Sequence, residues 1–141
     1  AIETVLKDPQ VRTAVSEGAI TDAPPPGTPA ELAAIISQLS GVVAHRLHAC
    51  ILAYAFRRPI VGLGWDRKLE SFFQSVGLDP CFLPAGNLTP QKAGSLLDMA
   101  LAGGIDPARH AAAVAETRAA IQSVYVNCGI PLAEPENVTA T

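Results

Sequence analysis

VVAHRLHACILAYAFRRPIVGLGWDRKLESFF, residues 42–73, decides the fold of this chain. Two short apolar runs, VVA (42–44) and PIVGLGW (59–65), flank a segment of helical length, HRLHACILAYAFRR (45–58). Short continuous apolar runs bounded by turn formers read as buried strands. Strand, helix and strand in so compact a span predict a βαβ unit, whose strands are parallel and whose crossover is right-handed.

The same alternation continues on both sides. RKLESFFQSVG (67–77) reads as a helix stopped by Gly77, and CFLP (81–84) as a third short strand. The segment 87–89 supplies an N-cap for PQKAGSLLDMALAGG (90–104), and a long last helix runs from Asp106 to near Gly129. Upstream, Thr28 and Pro29 cap and open ELAAIISQLS (31–40), with Leu32, Ile35, Ile36 and Leu39 on one apolar face. The prolines of DAPPPGTP (22–29) make that segment a loop. AIT (19–21) is a candidate strand, and residues 2–17 a helix that Pro9 bends or restarts. The class is α/β, a small parallel sheet covered by helices. One domain over 1–131 and a flexible tail at 132–141 are expected.

Composition narrows the function. At 141 residues, with 49% hydrophobic and 16% charged residues, the chain buries a core without metal or disulfide staples. A net charge of −3 without a Lys/Arg stripe argues against nucleic-acid binding. Cys50, Cys81 and Cys128 are odd in number and lack CxxC spacing, as expected of buried thiols in a reducing compartment. No apolar run approaches the roughly 18–20 residues of a membrane span, and the start lacks a leader pattern, so a cytoplasmic location is expected. The chain starts at Ala1 in a helix-like pattern, as a piece of a longer polypeptide would.

Polar groups gather where the two strands end. Ligands of open parallel sheets sit beyond the carboxyl ends of the strands, before the N-termini of the following helices. Arg46 and His48 follow VVA, while Asp66, Arg67 and Lys68 follow PIVGLGW. A helix N-terminus with a cation beside it suits a phosphate or carboxylate. At about 100° per residue Arg46 and His48 lie about 200° apart in the body of a helix. They converge only if the helix starts at or just before Arg46. Other readings stand beside this one. His45 reads as a strand-end or cap residue, and His48 equally well as a histidine satisfied by a carbonyl. Arg46 could bind loop carbonyls, Lys68 and Glu70 could form a solvated face, Trp65 could cap the core, and His110 reads as surface.

Residues 41–78 resemble the polysaccharide pyruvyl transferase signature. In that family a strand leads into Arg-Leu-His-Ala at the start of a helix. A proline-led strand then ends in an aromatic, an acidic residue and a lysine. Here these are Arg46, Leu47, His48 and Ala49, then Pro59, then Trp65, Asp66 and Lys68. Trp65 stands where the family has tyrosine, and His45 where a small or apolar residue is usual. The resemblance implies a Rossmann-like open parallel sheet with flanking helices, the C-terminal half of a GT-B-type two-domain enzyme whose N-terminal half is absent.

It also implies an activity: transfer of pyruvyl from phosphoenolpyruvate to two hydroxyls of a sugar, as a cyclic ketal, in exopolysaccharide or cell-wall glycan synthesis. His48 is then the catalytic candidate. Arg46, Leu47, Lys68, Asp66 and Trp65 are the substrate-binding candidates. Neither a metal nor a cofactor is implied, phosphoenolpyruvate being the donor substrate. The expected partners are a glycan or lipid-linked oligosaccharide acceptor, which would place the enzyme at the inner face of a membrane, and the missing N-terminal domain. The surface normally facing that domain would favour self-association of the half alone. Two alternatives remain, a GT-B glycosyltransferase using a nucleotide sugar and a non-catalytic scaffold module.

Overall fold

The computed structural model describes residues 7–21, 23–64 and 66–129. The chain divides into two compact units, Ala1–Leu32 and Ala33–Thr141. In the first, helix α1 (Pro9–Ser16) is opened by Pro9 itself, whose missing amide costs nothing at the first helical position. The Asp8 carboxylate accepts the next amide, that of Gln10, at 2.8 Å. The residues expected to form a helix before Pro9 lie largely outside the described ones.

AIT (19–21) is not a strand. Gly18 takes a positive φ of 74° and turns the chain back, so that the amides of Ala19 and Ile20 both donate to the Ala14 carbonyl. That closure of the helix end uses the donors a strand would have needed. Further on, the Thr28 hydroxyl accepts the Glu31 amide, and the Glu31 carboxylate reaches back to the Gly27 amide at 2.7 Å. This reciprocal cap starts helix α2 (Pro29–Gln38) where the sequence predicts it. Of the expected apolar face, Ile36 is buried while Ile35 and Leu39 are exposed.

The second unit is built on three parallel strands in the order β1-β2-β3, namely Val42–Ala44, Ile60–Gly64 and Phe82–Pro84. Val42 pairs with Ile60, and Gly64 with Pro84. Helix α3 (Leu47–Ala55) connects β1 to β2, and α4 (Arg67–Ser75) connects β2 to β3. Helices α5 (Pro90–Gly103) and α6 (Pro107–Asn127) follow. These are the predicted strands and helices. Arg57 closes α3 in the left-handed region at φ 54°, its amide on the Tyr54 carbonyl and that of Arg58 on the Ala53 carbonyl, which aims the chain into β2.

Side chains alternate across a strand, so Ile60, Gly62 and Gly64 share one face of β2. Helix α4 lies on that face, and the glycines let it approach closely. A Cβ on Gly62 would stand 2.7 Å from Phe73 Cζ, and one on Gly64 would stand 2.6 Å from Phe82 Cζ and 3.3 Å from Leu69 Cδ2. Gly41 has the opposite parity, and a Cβ there would meet Leu101 of α5 at 3.0 Å. The sheet is therefore covered on both faces. Ile60, Val61, Leu69 and Phe73 are almost wholly buried between the layers. The Arg109 guanidinium donates to the Ser75 carbonyl and ties the start of α6 to the end of α4, while Ile121, Val124 and Val126 further along are exposed.

Gly62→Ala should lower stability by about 2 kcal/mol, because the Phe73 ring has no room to retreat. In urea denaturation the midpoint should fall with an unchanged slope, and adding Phe73→Leu should restore part of the loss. An unchanged midpoint for Gly62→Ala alone would show that the ring can move aside.

Candidate anion site at the carboxyl edge of the sheet

Strands β1 and β2 run parallel, with Ala44 beside Gly62, so both release the chain at the same edge of the sheet. Two residues beyond each strand end stands a helix cap: Arg46 for α3 and Asp66 for α4. The caps differ in kind. Asp66 in extended conformation accepts the Lys68 amide through Oδ1 at 2.9 Å, the ordinary way of satisfying an opening turn. Asp8, Thr28, Thr89 and Asp106 do the same for α1, α2, α5 and α6. Helix α3 is the exception, because its cap Arg46 makes no side-chain capping bond.

The Arg46 carbonyl accepts the amides of Ala49 and Cys50, at 3.1 and 3.2 Å, and so begins the helical ladder. The amides of Leu47 and His48, ahead of that ladder, have no partner among the described residues. Arg46 and His48 are exposed, and neither side chain makes a hydrogen bond among the described residues. The helix thus starts immediately after Arg46, one residue later than the geometric condition required. The condition set for Arg46 and His48 to share a ligand is therefore not met, although the two still stand at the cap and second position of the opening turn. Two open amides and the positive end of the helix dipole thus lie at this edge, with the exposed Arg46 and His48 in the same opening turn.

Lys68 is the second residue of α4, the position equivalent to His48 in α3, and is exposed beside Arg67. The Asp66 carboxylate holds the Lys68 backbone, fixing where that side chain starts. His45 is exposed between β1 and the Arg46 cap. Trp65 lies outside the described residues. Open amides at the start of α3 are what the sequence reading expected of a helix N-terminus at this edge, and the arginine cap leaves them without a side-chain acceptor.

His110 is not simple surface. Its ring packs against Tyr54 with centroids 5.1 Å apart, and its Nε2 is sequestered without a partner among the described residues. The two rings help to line a groove of about 540 Å³ among α3, α4 and α6, which Arg46, His48 and Lys68 do not line. Burial raises the Tyr54 pKa, with Arg109 pulling the other way. Behind the site, Cys50 is fully buried in α3, its Sγ 3.9 Å from the Ala44 carbonyl, and burial pushes its thiol from 9.0 up to about 11.

The fold and this edge define a small open parallel α/β unit with flanking helices and an open helix N-terminus beside exposed cations. The model of the polysaccharide pyruvyl transferase family matches residues 3–67, a stretch that includes Arg46, Leu47, His48 and Asp66 and stops short of Lys68. The match falls on the stretch where the Arg-Leu-His-Ala resemblance was read, and it agrees with that resemblance. No curated protein and no solved structure matches the chain. No helix of the described residues is long and apolar enough to cross a membrane.

At pH 8 a thiol reagent should modify Cys128, which is exposed, and leave Cys50 and Cys81 intact until the protein is unfolded. The raised Cys50 pKa stabilises the fold fully below pH 9.0, and that contribution is lost as pH rises through about 11. Rapid labelling of Cys50 in the native protein would show that α3 opens readily.

Proposed function

We propose that the chain is the C-terminal half of a GT-B-type polysaccharide pyruvyl transferase, acting on phosphoenolpyruvate and a sugar with two free hydroxyls. The family match supports the class, and one observation supports the site: helix α3 is opened by a guanidinium in place of a capping acceptor. A carboxylate or phosphate of the donor fills that vacancy in the capping pattern. Arg46 grips one anionic group through its planar fork, the amides of Leu47 and His48 donate to it, and Lys68 neutralises the other as a point charge.

The reaction then runs as follows. A sugar hydroxyl adds to C2 of phosphoenolpyruvate while the vinyl CH₂ takes up a proton and becomes the methyl group. His48 supplies that proton, since the imidazole is the side chain suited to proton exchange near neutral pH. The first hydroxyl's proton replaces the one His48 gave up, and the second hydroxyl displaces phosphate from C2, its proton leaving with the phosphate, which closes the cyclic ketal and leaves the pyruvyl carboxylate on the sugar. Addition and displacement need no redox cofactor. Asp66 holds the Lys68 backbone, and Trp65 adjoins it in sequence where an aromatic ring can contact substrate. The remaining contacts belong to an N-terminal half facing this edge, and the reading places the enzyme in the cytoplasm, at the inner membrane face where the acceptor is lipid-linked.

Titrating the chain with phosphoenolpyruvate should give saturable amide shifts at Leu47 and His48, and a uridine diphosphate sugar should not. The opposite outcome would make this a glycosyltransferase half. In the full-length enzyme His48→Ala should lower kcat by about 10²-fold or more, and Arg46→Ala should raise the KM for phosphoenolpyruvate about tenfold. Full activity of His48→Ala would remove His48 from the chemistry and leave this half a scaffold role.

A further inference from the structure

The carboxyl edge extends one strand beyond the anion site. Gly64 pairs with Pro84, so β3 ends beside β2, and the chain turns through Ala85–Asn87 into α5. There a groove of about 470 Å³ runs between β3 and the first two turns of α5. One wall is apolar, with Phe82 and Pro84. The other carries the Asn87 and Gln91 amides, the Lys92 ammonium and the Ser95 hydroxyl. Gln91 and Ser95 are four residues apart in α5, Lys92 and Ser95 three, so all three share a helix face. Thr89 caps α5 through the Lys92 backbone amide. The side chains of these polar residues make no hydrogen bond among the described residues.

A groove with one apolar wall and one wall of amides, a hydroxyl and an ammonium matches a molecule with two such sides. A pyranose ring is one: its C–H face is apolar, and its hydroxyls both donate and accept. Neutral amides can answer both roles, which a row of like charges cannot. The volume lies within the ordinary range for small-molecule sites. Neighbouring strands are about 4.8 Å apart, so the end of β3 lies about 10 Å from the end of β1. A saccharide seated in the groove can therefore extend a neighbouring ring toward Arg46 and His48.

We infer that this groove is a glycan subsite, in which Gln91, Lys92, Ser95 and Asn87 hold a sugar of the acceptor while Phe82 and Pro84 carry its apolar face. The inference rests on the pyruvyl transferase reading for the identity of the sugar as acceptor. The binding itself is separable from that reading.

The experiment is a titration of the isotopically labelled chain with methyl glycosides of glucose, galactose, mannose and N-acetylglucosamine, and separately with phosphoenolpyruvate. At least one glycoside should shift the side-chain amides of Asn87 and Gln91 together with backbone amides of 91–96. Gln91→Ala and Ser95→Ala, both neutral surface changes whose folding is checked by thermal melting, should each weaken that glycoside about fivefold. Shifts confined to other residues, an affinity indifferent to both substitutions, or no shift with any of the four sugars would overturn the subsite. Glycoside shifts here without phosphoenolpyruvate shifts at Leu47 and His48 would retain a sugar site and remove the pyruvyl donor. The reverse result would remove the sugar site alone.

Discussion

The contact between the second strand and the helix that follows it governs the rest of the molecule. Gly62 and Gly64 present bare backbone to α4, and Phe73, Leu69 and Phe82 fill the space their side chains would have taken. Glycine in a strand is ordinarily unfavourable, because it loses more backbone freedom on folding and offers nothing to pack. Here burial of an aromatic ring offsets that loss, since Phe73 is wholly excluded from water. The close approach fixes how far α4 stands from the sheet. It therefore also fixes where Asp66 and Lys68 emerge beside the opening of α3. A bulkier strand would displace that helix and with it one side of the candidate anion site.

The two helix openings at this edge show how similar backbones serve different ends. At α4 the cap is an acceptor, so the helix is complete by itself and carries Lys68 as an exposed charge. At α3 the cap is a cation, and two amides remain open. An arginine in that place forgoes about 1 kcal/mol of capping stability. An anion bound there would supply what the missing acceptor would have given, and its affinity would then be linked to the stability of α3.

Much of this was legible in the residues. Gly41 and Pro59 bracket the apolar runs that become β1 and β2, and Thr28, Asp66, Thr89 and Asp106 mark helix starts because capping is a local interaction. The Arg46–His48 pair was singled out because it falls where a parallel sheet directs its ligands. What escaped depends on neighbours distant in sequence. Exposure of Ile35 and Leu39 reflects what does not pack over α2, and the partnership of His110 with Tyr54 arises only when α6 crosses α3. AIT failed as a strand because the turn at Gly18 takes its donors for the end of α1. Composition cannot reveal that competition.

The sheet order follows the chain order, and this bears on how the molecule assembles. Each strand pairs with the next one in sequence through a single short helix, so no strand waits for a distant segment before it can join. The entropy of closing such loops is small, and topologies rich in near-sequence pairing fold quickly. The stretch from Val42 to Pro84 can therefore condense around the Phe73 ring while the residues of α5 and α6 are still being synthesised. The edge carrying Arg46 and Lys68 thus depends for its backbone on residues 42–84 alone, before the two last helices are added.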